Sequence, residues 1–239
     1  MKKIAGLIAA ATGMLVGGTT GATFAEGHET APSAPPYYMT IHGAAGQALN
    51  DYDFFAPTSN AAQPLNGDVD IDGAFVIGVS AGMFLDDNWR VGGEINYSSL
   101  DPDSMFINNL GGGLLVTLDG DVNNISVMID AAYEVQVNDM TAIFFEAGVG
   151  IIHADVDNVQ TGPGFNGFID DSDTALSAKV GVGATYRLNE DWELFGEYNF
   201  VFGEDFDLQF TAPGAALNPV PFELENQTHV GLFGVRKRF

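Results

Sequence analysis

Residues 224–239 read L-E-N-Q-T-H-V-G-L-F-G-V-R-K-R-F, and the last nine of them decide the fold. The odd positions are Gly231, Phe233, Val235, Lys237 and Phe239; the even ones are Leu232, Gly234, Arg236 and Arg238. Successive side chains of a strand point to opposite faces. One face is therefore mostly apolar and ends in an aromatic ring, while the other is small and then strongly cationic. Such a strand suits lipid on one side and a packed polar interior on the other. Lys237 interrupts the apolar face, but a lysine near a membrane rim can lay its stem on apolar surface and keep its ammonium in water.

Working back from this strand, the chain offers seven more segments of the same kind. They span about 37–48, 71–84, 89–99, 122–135, 141–154, 173–188 and 192–203. Phe75, Ile77, Val79, Ala81 and Met83 share one face of the second; Ile125, Val127, Ile129, Ala131 and Tyr133 share one face of the fourth. The separators alternate between long and short. Tight polar turns lie at 85–88, 137–139 and 189–191, and long connections at 49–70, 100–121, 155–172 and 204–223. This pattern predicts an all-β fold, an eight-stranded antiparallel up-and-down transmembrane β-barrel. Both termini fall on the side of the short turns, the periplasmic side, which leaves four long extracellular loops. A soluble sandwich is the competing class, but it has little use for inward carboxylates on so many strands.

The front end predicts export. Met1-Lys2-Lys3 is basic, residues 4–16 are apolar, and Thr23-Phe24-Ala25 supplies the small residues a signal peptidase reads. Residues 1–25 are expected to be a signal peptide. Residues 26–36, with Pro32, Pro35 and Pro36, are expected to be a flexible periplasmic leader, and 37–239 the barrel. Nothing later approaches the roughly 20 apolar residues of a membrane-spanning helix, so a membrane location requires a barrel.

The chain has no cysteine, so neither disulfides nor thiol chemistry hold it together. Its 32 acids against 8 Lys and Arg give a net charge of −24. That excludes nucleic acid as a partner and favours divalent cations or cationic surfaces.

Alternation sends Arg90, Glu94, Asp130, Glu134, Glu146, Lys179, Arg187, Glu193, Glu197, Arg236 and Arg238 inward. Apart from Lys237, these include every basic residue after the leader. An eight-stranded barrel is only wide enough for side chains to fill it. The expectation is an ion-pair network that plugs the lumen; an ion path through the same residues is the alternative. Trp89 and Trp192, the only tryptophans, each follow a polar turn, where a membrane girdle of aromatic residues belongs.

Within residues 74–100 the run F-V-I-G-V-S-A-G-M-F-L-D-D-N-W-R-V-G-G-E-I-N-Y-S combines a glycine-rich strand, an Asp/Asn turn and an aromatic-Arg strand ending Glu-x-x-Tyr. Its second half, L-D-D-N-W-R-V-G-G-E-I-N-Y at 85–97, is echoed by L-N-E-D-W-E-L-F-G-E-Y-N-F at 188–200. With the signal peptide and Phe239, this resembles the opacity-type and OmpA-like barrels, porin-family surface antigens of the Gram-negative outer membrane. The resemblance implies that Phe239 is part of the signal read by the barrel-assembly machinery, although Lys237 stands where that family prefers an aromatic. It also implies a non-enzymatic role in envelope structure and surface interaction through the loops.

The long connections are rich in Asp and Glu. Asp68-Val-Asp70-Ile-Asp72-Gly matches the first half of a calcium loop, but Val79 stands where the closing Glu is required. No cofactor is expected beyond weak Ca or Mg binding by clustered carboxylates, bridging to the phosphates of lipopolysaccharide. Outer-membrane lipid and an extracellular surface ligand complete the expected partners. The histidines after residue 25 are His28, His42, His153 and His229. A lipid-modifying enzyme would need His153 or His229 beside a serine, and no motif places one there. A narrow channel for ions or small solutes is the other alternative.

Overall fold

The computed structural model describes residues 37–46, 52–56, 64–108, 113–162, 167–211 and 219–239. The expected signal peptide, the leader and His28 lie outside these residues. Eleven strands are described: β1 (Tyr37–Gly46), β2 (Tyr52–Ala56), β3 (Leu65–Phe84), β4 (Trp89–Ile107), β5 (Leu114–Asn138), β6 (Thr141–Thr161), β7 (Phe168–Arg187), β8 (Trp192–Gly203), β9 (Phe206–Thr211), β10 (Val220–Leu224) and β11 (Gln227–Arg238).

Eight of them close into a ring. Neighbours from β3 to β8 pair antiparallel in sequence order, β8 pairs β11, and β1 joins β11 to β3. The short turns are held by their own polar side chains. Asp86 accepts the N–H groups of Asn88 and Trp89, and Asn138 those of Met140 and Thr141; Asn189 accepts those of Asp191 and Trp192. These are the local bonds by which Asp and Asn favour turns.

The long connections are not what the sequence suggested. Much of 49–70, 100–121, 155–172 and 204–223 is strand. β3 begins at Leu65, β4 runs on to Ile107, β5 begins at Leu114, and β6 and β7 extend to Thr161 and from Phe168. β2, β9 and β10 complete a second ring on top of the first. β2 pairs the start of β3, β10 pairs β2 and β9, and β9 returns to the start of β7. The upper ring thus also contains eight strands: β2 to β7, β9 and β10.

The two rings have opposite polarity, and β6 displays the reversal within one strand. Its outward residues run Ile143, Phe145, Val149 and Ile151, then His153, Asp155 and Asp157. Its inward residues run Ala142, Phe144 and Glu146, then Ile152, Ala154 and Val156. The lower ring faces lipid with apolar side chains; the upper ring faces water with carboxylates and turns its apolar side chains inward. Each arrangement removes apolar surface from water, at roughly 1.5–3 kcal/mol per buried large aliphatic or aromatic side chain in the upper ring.

Register shifts mark the change of level. They fall at Asp70/Ile71 and Ile71/Gly73 in β3, Leu100/Ser104 in β4, Asp119/Asp121 in β5 and Val156/Val159 in β6. Such bulges re-aim side chains and tighten the twist. Gly120 sits at one, with φ 148°, where a Cβ would meet the Val159 backbone at 2.7 Å.

Candidate functional site in the barrel lumen

The lumen is built in three levels. Lowest is a chain of alternating charges contributed by six strands, β4 to β8 and β11. Lys179 Nζ lies 2.7 Å from Glu94 and 2.6 Å from Glu146. Glu146 also accepts from Arg90 Nη2 at 2.7 Å, and Arg90 Nε reaches Glu134 at 3.0 Å. Glu134 accepts from Arg236 at 2.8 Å; Arg236 stands 3.3 Å from Glu193, which Arg238 meets at 2.8 Å. Asp130 flanks Arg90 at 3.9 Å. Apart from Arg187 and Glu197, the side chains that alternation sends inward are all buried. Arg187 departs from them, with 40% of its side chain exposed and 3.8 Å from Glu193. Its place beside the 189–191 turn puts it at the periplasmic rim. Glu197 accepts from Asn199.

Aromatic rings pack the charges. Arg90 and Arg236 both lie over the Tyr38 ring, at 5.6 and 5.3 Å, and Arg90 lies 4.9 Å from the Phe144 ring. Gly82 and Gly92 leave the space that Tyr38 occupies: a Cβ on either would collide with its phenol. Cation–π contact is strongest where water is excluded, so these rings favour the buried guanidinium groups.

The second level is polar. His42 bonds Asn96 at 2.7 Å, Asn96 donates to Glu94 at 3.0 Å, and Thr40 bonds Ser80 at 2.6 Å. Above them lies a cavity of about 410 Å³, lined by Glu94, Lys179, Asn96, Asn124, Asn199 and Asn226 among others. Sequence reading missed Tyr38, Thr40, His42 and Asn96 as lumen residues. The signal was the alternation of β1, where Tyr38, Thr40 and His42 are buried while Tyr37, Met39 and Ile41 face outward.

The third level is a chamber of about 290 Å³ inside the upper ring. Phe54, Phe206, Phe210, Phe222, Leu208 and Ile107 line it with smaller aliphatic neighbours; Asn124 and Thr161 are its few polar contributors. The Phe54 and Phe222 rings stack at 5.2 Å. Tyr52, Leu100, Asn124 and Phe206 line both cavities, so the chamber adjoins the polar level. Nothing in the acidic composition of these segments announced it.

The remaining sequence candidates lie on the outer wall. Trp89 packs on Tyr133 at 5.1 Å, and Lys237 Nζ lies 5.6 Å from the Trp192 ring and 4.8 Å from that of Phe239. Phe239 is 52% exposed, and its backbone N–H bonds the Tyr37 carbonyl. Asp68, Asp70 and Asp72 lie within β3 rather than in a loop. Asp68 and Asp70 stand at alternate positions, on the face opposite the buried Val69. Among the described residues, the carboxylates close enough to share an ion are Glu94, Asp130 and Glu146. The Lys179 ammonium already sits against two of those three. His153 bonds Thr174 at 2.9 Å, and His229 bonds Tyr198 at 2.8 Å.

Carboxylates of the upper ring also meet. Asp53 on β2 stands opposite Asp68 on β3. The hydrogen bond with Asp68, then burial and like charge, push the Asp53 carboxyl above its ordinary range. Burial holds the Tyr52 phenol up, against the pull of its bond to Thr228.

The family model for the outer membrane protein beta-barrel domain matches residues 11–215. None of the curated proteins compared with the chain matches it. Solved structures share the fold at low identity. OprG from Pseudomonas aeruginosa is 14% identical with a TM-score of 0.57, covering 87% of this chain and 97% of that one. The outer membrane protease OmpT from Escherichia coli is 9% identical with a TM-score of 0.53, covering 88% and 99%. A major outer membrane protein from Thermus thermophilus is 13% identical with a TM-score of 0.50, covering 85% and 99%. The match along most of the chain, the closed ring and its lipid-facing wall lead to one conclusion: the chain belongs to the outer membrane protein β-barrel domain family and is an integral outer-membrane protein.

Proposed function

We propose that this barrel is a non-enzymatic, non-conducting binder of small apolar molecules, which it holds in the chamber of its upper ring. The observation that carries this reading is the chamber itself, about 290 Å³ lined almost wholly by apolar side chains. An apolar cavity of about 150 Å³ is enough to stay dry and bind benzene. A chamber about twice that size suits a one- or two-ring hydrocarbon or a short branched chain. The charged level beneath it favours retention over passage, since an apolar solute gains nothing from displacing paired ions. His153 and His229 bonded to Thr174 and Tyr198 give no support to a Ser/His catalytic set.

The test is binding of naphthalene to the mature chain in lipid nanodiscs, corrected for partition into empty nanodiscs. Saturable one-to-one binding is expected. Ala154→Phe, which fills the chamber, should weaken it at least tenfold. Equal uptake by both proteins would sink the reading.

The outer wall favours a second, compatible role. Asp68, Asp70, Asp155, Asp157, Asp207 and Glu223 stand on the outer face of the upper ring, at the level where lipopolysaccharide headgroups would meet it. Ca or Mg bridging these carboxylates to lipid phosphates would anchor the surface. Chelation should then loosen the upper ring in lipopolysaccharide bilayers and leave it unchanged in phospholipid.

A further inference from the structure

The cavity of about 410 Å³ above the charged level carries two acceptors that no other group of the fold satisfies. Asn199 is 2% exposed; its amide N–H donates to Glu197, and its Oδ1 is buried with no hydrogen-bond partner. Asn124 donates to Ser98 at 3.4 Å, and its Oδ1 is likewise buried without a partner. Both residues line the cavity. The other side-chain atoms in that condition among the described residues, Nε of Arg236 and of Arg238, are donors in the charged level. A buried acceptor without a donor costs the full desolvation of the group, so the cavity suits a guest that brings N–H or O–H groups.

The wall decides the charge of that guest. Among the described residues, Glu94 is the one acid and Lys179 the one Lys or Arg that line the cavity, and they are paired with each other at 2.7 Å. Glu146 holds Lys179 from another side at 2.6 Å. An ammonium or a carboxylate would enter without a free counter-charge, which burial penalises heavily. A hydroxyl brings no charge. It donates to an amide oxygen and accepts from another hydroxyl, and Ser98, Ser126 and Thr228 stand on the wall for that purpose. Size decides the number of hydroxyls. A water takes about 30 Å³ of liquid volume, so the cavity has room for roughly a dozen. A single hydroxyl would leave most of that room to solvent.

We infer that this cavity is the head-group subsite of the barrel, and that the bound molecule is a neutral amphiphile whose sugar or other polyol head meets Asn124 and Asn199 while its apolar body fills the chamber. This rests on the reading of the chamber as an apolar binding site and names the class of molecule it takes. The two cavities share Tyr52, Leu100, Asn124 and Phe206, so Asn124 stands where head and body join. The body leaves water for an apolar wall, and the head exchanges its hydration for the two unpartnered amide oxygens. The paired ions of the charged level stay in place beneath it.

Three probes with the same aromatic body test this on the mature chain in lipid nanodiscs: naphthalene, 2-naphthyl glucoside and 2-naphthyl glucuronide, each corrected for partition into empty nanodiscs. The glucoside should bind saturably and one-to-one, at least tenfold more tightly than the glucuronide, which adds a carboxylate to the same ring. Asn124→Leu and Asn199→Leu, which keep the side-chain volume and remove the acceptors, should each lower the ratio of glucoside to naphthalene affinity at least fivefold. Ala154→Phe should weaken the glucoside as it weakens naphthalene, because the two share the chamber. The comparison of glucoside with glucuronide is made on the wild-type chain and does not depend on the folding of any variant. Saturable naphthalene binding with no saturable glucoside binding would overturn the head-group subsite and leave the apolar reading standing. So would a glucuronide that binds as tightly as the glucoside, or an affinity ratio unchanged in both leucine variants. Absence of saturable binding for naphthalene and glucoside alike would overturn both.

Discussion

The Tyr52 phenol donates to the Thr228 hydroxyl at 3.1 Å, joining a strand of the upper ring to the strand that closes the lower one. Tyr52 also lines both cavities, so this bond sits where the apolar chamber meets the polar level. Tyr52→Phe keeps the ring and removes the bond. The expected loss is about 0.5–1.5 kcal/mol. Hydrogen exchange should report it as faster exchange confined to β2 and the start of β11. Uniform change over the whole barrel would contradict a local role for this bond in joining the two rings.

Lys179 holds two carboxylates from different strands, Glu94 on β4 and Glu146 on β6. Lys179→Met leaves both buried beside one another with Arg90 as the remaining cation near Glu146. Breaking a buried pair by removing one partner costs about 3–5 kcal/mol. Urea titration of the refolded protein in lipid should show a loss of that size. Lys179→Met combined with Glu94→Gln should recover part of it, because the uncompensated charge is then gone.

The lumen is expected to be electrically silent in a planar bilayer. Arg90, Glu134 and Arg236 meet in the charged level, at 3.0 and 2.8 Å. Replacing all three by alanine removes most of the side-chain volume there. Discrete current steps are expected from that variant and not from wild type. Steps of equal size from wild type would mean that the charged level is a path and not a plug.

Asp53 gives a pH signature outside the membrane. Its folded carboxyl titrates above the ordinary value because of the bond with Asp68. The protonated pair therefore favours the folded upper ring at low pH, and that contribution is lost as pH rises from the ordinary carboxylate range through the raised value. Exchange protection of the β2 amides should fall across that window. Asp53→Asn should flatten the profile; an unchanged slope would remove the pair as its cause.

Phe239 lies on the lipid-facing side, its ring 4.8 Å from the Lys237 ammonium. Phe239→Ala should reduce the amount of heat-modifiable barrel in the outer membrane, while the purified variant still refolds in detergent. Wild-type levels in cells would argue against a role for this residue in assembly.

The alternation of β11 and the turns at 85–88, 137–139 and 189–191 were enough to predict the lower ring. In a membrane barrel each strand contacts lipid on one face and the packed lumen on the other, so period-two patterning records both environments. Inward placement of Glu146, Lys179 and Arg236 followed from the same period. Their order along the charge chain did not, because it depends on which strands meet across the lumen.

The upper ring was decided by tertiary structure. Tyr52-Asp-Phe54 and Phe206-Asp-Leu208-Gln-Phe210 alternate as clearly as the membrane strands do, but with carboxylates and amides outward. Read as loops, they looked like solvated acidic connections. What makes them strands is the non-local pairing of β2 with β10 and of β9 with β7, which closes a ring that no single segment can specify. Above the lipid, water takes the place of hydrocarbon on the outside, so apolar residues that face outward in the lower ring must turn inward in the upper one. That reversal creates the chamber.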